Sequence, residues 1–149
     1  MKALPLAALL PVLAATTLAA IPATAQPQAT FQLTVTDLHS TKGQIVACLW
    51  RDKDKFPSCE KSATALKRTF PVTGTTMHVT LPLPASGRYA VTVVHDEDGN
   101  GKMKHNFIGM PAEGVGISNN PGGMPGYDKS LTDIAPGGTV TIKMKYLFG

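Results

Sequence analysis

The chain predicts an all-β fold: an antiparallel sandwich of about seven strands with one long glycine-rich loop. Three observations carry this. Apolar and polar residues alternate with period two through several short stretches, as strands with one buried face require. Gly- and Pro-rich turn signals separate those stretches, and no stretch places apolar residues at helical spacing over a useful length. The 149 residues suit one domain and one core.

Met1 and Lys2 precede an apolar run from Ala3 to Ala20, and Ala23 and Ala25 before Gln26 fit the small-residue cleavage rule. Residues 1–25 therefore read as a removed export signal, leaving a single β-sandwich domain over residues 26–149. An uncleaved membrane anchor is disfavoured by Pro5, Pro11 and Pro22, and no cysteine follows the cleavage site to take a lipid. No integral membrane segment is expected after signal removal. The formal charge of +4, lowered by one when Lys2 is removed, comes from scattered Lys and Arg. Without a basic run or an interleaved aromatic ladder, nucleic acid is not an expected partner. An exported chain with two cysteines, Cys48 and Cys59, predicts a disulfide between them. Their spacing is not that of a redox C-x-x-C pair.

The first strand begins at Thr30, where Phe31, Leu33 and Val35 alternate with Gln32, Thr34 and Thr36. Gln44–Trp50 is apolar on both faces and predicts a central strand. Arg51–Ser62 is a charged excursion containing Cys59, with room for a short helical turn. Strands follow at Leu66–Val72 and around Met77, Val79 and Leu81, with a turn at Thr73-Gly74-Thr75 between them. Tyr89, Val91 and Val93 mark the strongest strand, and His95 continues their phase onto the core face. A short strand is expected near Ser130–Ile134 and a final one over Thr139–Tyr146.

Between these lies the loop 96–130, far longer than the usual connection of about 4–6 residues. Phe107, Ile108, Met110, Val115 and Ile117 favour packing, so an ordered lid over one end of the sandwich is expected. Asp96, Asp98, Asn100 and Gly101 match the first half of a calcium loop, with Lys102 contributing a backbone carbonyl. The second half fails: Lys104 and Phe107 stand where the later ligands belong, and Glu113 would have to be recruited, with Asn106 or Asn119 as further oxygen donors. Beside this stands the plainer reading that Asp98-Gly99 and Asn100-Gly101 are turns with solvated acids. His95, Asn106, Asn119 and Asn120 are expected to anchor the loop.

The same residues carry a resemblance. Gly43-Gln44-Ile45-Val46, Phe56-Pro57, Leu83-Pro84 and Gly87-Arg88-Tyr89-Ala90-Val91 frame it. Its most specific parts are His95-Asp96-Glu97-Asp98-Gly99-Asn100-Gly101, Asn106-Phe107-Ile108-Gly109-Met110-Pro111, Glu113-Gly114 and Gly116-Ile117-Ser118-Asn119-Asn120. From about Phe31 to Tyr146 the chain resembles the secreted bacterial domain of unknown function numbered family 2141. The resemblance implies an Ig-like or transthyretin-like sandwich, related to carboxypeptidase-regulatory modules, with no established activity. Lys104 departs from it, because an acid is usual there, and Met103 occupies a hydrophobic position.

The functional expectation is a periplasmic or secreted, non-enzymatic binding or structural module whose partner is an unidentified ligand or envelope protein. No cofactor is required, and Ca²⁺ is an optional stabiliser of the loop 95–120 within this reading. One alternative is a small hydrolase-type enzyme built on His95, Asp96 and Glu113, although Ser118 stands in no nucleophile motif and no catalytic residue is assigned. Another is copper handling through His95, His105, Met103, Met110 and Met124.

Overall fold

The computed structural model describes residues 27–123 and 126–148; the expected export signal and Met124 lie outside these. The strands are β1 (Thr30–Thr36), β2 (Gln44–Trp50), β3 (Leu66–Pro71), β4 (Met77–Pro82), β5 (Gly87–Asp96), β6 (Gly114–Ile117), β7 (Thr132–Ile134) and β8 (Thr139–Lys143). One sheet runs β4-β1-β8 and the other β3-β2-β5-β6, with β7 pairing β5 beyond β6. The fold is an all-β sandwich. Pairing is antiparallel except between β1 and β8, which run parallel from Gln32↔Thr139 to Thr36↔Lys143.

Alternation dictates the core. Phe31, Leu33 and Val35 from β1 meet Ile45, Ala47 and Leu49 from β2 and Tyr89, Val91 and Val93 from β5, all buried between the sheets. β2 is apolar on its other face too, and the structure shows what covers it. Val46, Cys48 and Trp50 form a second cluster with Ala90, against which Phe56, Cys59 and Tyr127 pack. The excursion after β2 supplies that cover and is pinned by the Cys48–Cys59 disulfide. Trp50 donates to Thr92 Oγ1 at 2.9 Å and meets the Phe56 ring edge-on at 5.2 Å.

Besides the parallel β1–β8 pair, three parts differ from the sequence expectation. The loop is not continuous: β6 pairs with β5 from Thr92↔Ile117 to His95↔Gly114, and a four-residue helix, α1 (Tyr127–Ser130), precedes β7. β6 went unpredicted because its core-facing residues are glycines. A Cβ on Gly114 would stand 2.5 Å from Tyr146 Cζ, and one on Gly116 would stand 2.9 Å from Met144 Sδ. The strand can approach the far sheet only without side chains there. The final strand ends at Lys143, after which only a bridge, Val115↔Lys145, continues the pairing. Finally, Phe107 and Ile108 do not pack as a lid; they are 98 % and 60 % exposed.

Candidate functional site

The loop starts from two buried polar residues at the end of β5. His95 is wholly buried, its Nε2 lying 2.9 Å from Lys42 O and its Nδ1 2.7 Å from the Tyr146 hydroxyl. A carbonyl only accepts, so Nε2 carries the hydrogen, and in the neutral ring Nδ1 accepts from Tyr146. Tyr146 Oη in turn accepts the His39 N–H at 3.1 Å, and the two rings stack. His95 thus ties β5 to the β1–β2 turn and to the chain beyond β8.

Asp96 is equally buried. Its Oδ2 accepts from Gln44 Nε2 and Gly101 N, both at 2.7 Å, and its Oδ1 from Asn100 N at 3.1 Å. Burial pushes the carboxyl up, but the bonds from Gln44, Gly101 and Asn100 outweigh it and hold Asp96 below its ordinary range. Asp98 accepts from Asn100 N, and Asn100 Oδ1 from Lys102 N, with Gly99 and Gly101 at φ +72° and +76°. These are the asparagine- and aspartate-led turns that the Asp-Gly and Asn-Gly pairs predict.

Glu113 comes back from the far side of the loop and accepts the Lys104 N–H at 3.0 Å. Burial, opposed by that bond and reinforced by the charges of Asp96 and Asp98, pushes its carboxyl above the ordinary range. Of the residues expected around a cation, Asp96, Asp98 and Glu113 come together, each offering an oxygen within 4.8 Å of the others. Asn100 instead spends its side-chain oxygen on Lys102 N, and the Lys102 side chain is exposed.

Between Lys102 and Glu113 the chain forms a finger. Ala112 N donates to Lys104 O and Asn106 N to Met110 O, while Asn106 Oδ1 receives the Ile108 and Met110 N–H groups. At the loop's far end Asn119 Nδ2 donates to Leu131 O at 2.7 Å, and Asn120 Oδ1 accepts Lys143 N at 2.8 Å, fastening the chain to β7 and β8. Both asparagines take left-handed backbone, at φ +63° and +45°.

A cavity of about 750 Å³ lies between this loop and the outer face of the larger sheet. Val46 and Val94 form part of its floor, Val115 and Ile117 of β6 one wall, and Met103, Met110 and Pro111 of the finger another. Pro57 and Cys59 of the excursion and Leu147 near the chain end close further sides. Residues 33–143, nearly all of the sandwich and the whole loop, match a family described as "Uncharacterized protein conserved in bacteria (DUF2141)". The chain belongs to that family. No curated protein matches the chain, and no solved structure does.

For this DUF2141 chain, the arrangement bears unequally on the other expected sites. Asp96 borders the cavity, whereas His95 and Glu113 are not among its lining residues. Ser118 is buried, donating to Ser130 O and accepting Val91 N–H, as a strut between α1 and β5. Met103, His105 and Met110 share the cavity lining, but His95 does not join them, since both its ring nitrogens are taken. The cavity itself escaped sequence reasoning. Its signal was present in the outward apolar residues Val46 and Val94 and in the two finger methionines.

Proposed function

We propose that this chain is a non-enzymatic binding module that takes a small apolar ligand in the cavity beneath the loop. The cavity carries the reading. Its volume falls in the range of about 300–1,000 Å³ typical of small-molecule sites. Its walls are aliphatic, with thioethers that adapt to irregular shapes. Lys67, Lys102, Lys145 and Asn120, with Glu60, Asp96 and His105, stand among the lining residues as polar groups that would orient a ligand. An oxidising compartment, periplasmic or extracellular, suits the disulfide and the apolar leader. Among the described residues no helix is long and apolar enough to cross a membrane.

The test is titration with the apolar fluorophore 1-anilinonaphthalene-8-sulfonate, alongside a Val94→Trp variant that fills the floor. Saturable binding that raises the melting temperature, weakened about tenfold or more by Val94→Trp at unchanged parent stability, supports the reading. Non-saturable binding, or binding indifferent to Val94→Trp, rejects it.

A second reading rests on the convergence of Asp96, Asp98 and Glu113. A hard cation such as Ca²⁺ would offset the burial, and the charges of Asp96 and Asp98, that push Glu113 up, with Asp98 and Glu113 supplying oxygens that the turn leaves available. Millimolar Ca²⁺ should then raise the melting temperature of the parent and not of Glu113→Gln. An unchanged parent, with calcium or with chelator, removes calcium from the account.

A further inference from the structure

The finger offers a second surface, whose tip lies outside the cavity lining. Phe107 and Ile108 at its tip are the two most exposed large apolar side chains of the described residues. The turn that presents them is closed by its own hydrogen bonds. Gly109 N donates to Asn106 O at 3.0 Å, Asn106 N to Met110 O at 2.9 Å, and Asn106 Oδ1 receives Ile108 N and Met110 N at 3.1 and 3.0 Å. A tip satisfied internally can leave water without stranding those donors.

Charge decides what the tip meets. From Lys102 to Ala112 the finger carries no acid, and Lys102, Lys104 and His105 are all exposed. Lys104 precedes Phe107 by three residues, at most about 10 Å of extended chain. Groups that close along the chain can meet one surface together. An apolar tip with cations set back along the shaft complements an anionic bilayer, which offers hydrocarbon beneath a layer of phosphates.

The geometry points to the finger as a peripheral membrane anchor: Phe107 and Ile108 enter the interface of an anionic lipid bilayer while Lys102 and Lys104 rest among its headgroups. Gly109 and Met110 belong both to the finger and to the cavity lining, so docking brings that lining close to the bilayer.

Sedimentation with vesicles tests this, using equimolar phosphatidylglycerol and phosphatidylcholine against phosphatidylcholine alone. The parent should bind the anionic vesicles. Phe107→Ser with Ile108→Ser should lose about tenfold or more of that partitioning, as removal of a buried apolar ring demands. Lys102→Gln with Lys104→Gln should erase the preference for anionic lipid. Both side chains at the tip are exposed, so melting temperatures should stay at the parent value and separate lost binding from lost folding. In Phe107→Trp, the indole emission should shift to the blue on anionic vesicles above the constant background of buried Trp50. Failure of the parent to bind, equal partitioning of the Phe107→Ser/Ile108→Ser variant, or an unshifted indole overturns the proposal. So does a concentration-dependent dimer abolished by the same tip variant without vesicle binding, which would make the occupant a second copy of the chain.

Discussion

Tyr146→Phe isolates the hydrogen bond on which the start of the loop depends. The substitution keeps the ring, and with it the stack on His39 at 3.4 Å, and deletes one oxygen. That oxygen serves His95 Nδ1 at 2.7 Å and His39 N at 3.1 Å. His39 is exposed and finds water in its place, whereas His95 has no solvent contact. Burial pushes the Tyr146 hydroxyl above its ordinary range, so it remains a donor through neutral and mildly alkaline pH. The variant therefore strands one buried ring nitrogen, a loss of about 1–3 kcal/mol. For a domain of this size each kcal/mol moves the midpoint by about 4 °C, so a drop of about 4–12 °C is expected in thermal denaturation followed by circular dichroism. Thr34→Val, which removes an exposed bond to His78, should change stability by less than about 0.5 kcal/mol. A Tyr146→Phe midpoint within about 1 °C of the parent would refute the reasoning and leave His95 held by packing alone.

Other perturbations follow from the same geometry. Gly116→Ala drives a methyl group toward Ile142 and Met144 and should cost about 1–3 kcal/mol in chemical denaturation, through overpacking. Replacing Cys48 and Cys59 together by Ala should cost about 3 kcal/mol by the loop-entropy argument for a sequence separation of 11, and loosen the Phe56 cover over Trp50. Asp96, lowered in the fold, contributes stability above its unfolded pKa that is lost as pH falls through the folded value, so Asp96→Asn should flatten the acid limb of the stability profile. Glu113 runs the other way. Raised in the fold, it contributes stability below its unfolded pKa that is lost as pH rises through the folded value. Glu113→Gln should therefore raise the melting temperature at neutral pH in metal-free buffer, with the gain shrinking in acid.

Strands with side chains on their buried faces were legible in the sequence, and the others were not. β1, β2 and β5 announce themselves because Phe31, Ile45, Val91 and their neighbours repeat every second residue. β6 keeps the same alternation, but Gly114 and Gly116 fill its core face, so the apolar pattern shows only in Val115 and Ile117. Period two is also blind to direction, which is why the parallel pairing of β1 with β8 was not foreseen. At the site, the turns at Gly99 and Gly101 were readable because their chemistry is local. The approach of Glu113 to Asp96 was readable only as a candidate, since nothing local to either residue sets the path of the loop between them. The exposure of Phe107 inverted a reasonable expectation. Its turn is stabilised by Asn106 and needs no burial of the ring.

The parallel pair has a bearing on how the chain folds. β1 can meet β4 as a nearby antiparallel partner, but its other edge is covered by β8, the last strand among the described residues. Until Thr139–Lys143 pairs with it, that edge keeps its backbone donors and acceptors open to any passing strand. Closing it joins residues from opposite ends of the domain, a slow step in topologies dominated by long-range pairing. Until β8 docks, the smaller sheet stays open along one edge, and the chain is most vulnerable to aggregation through it.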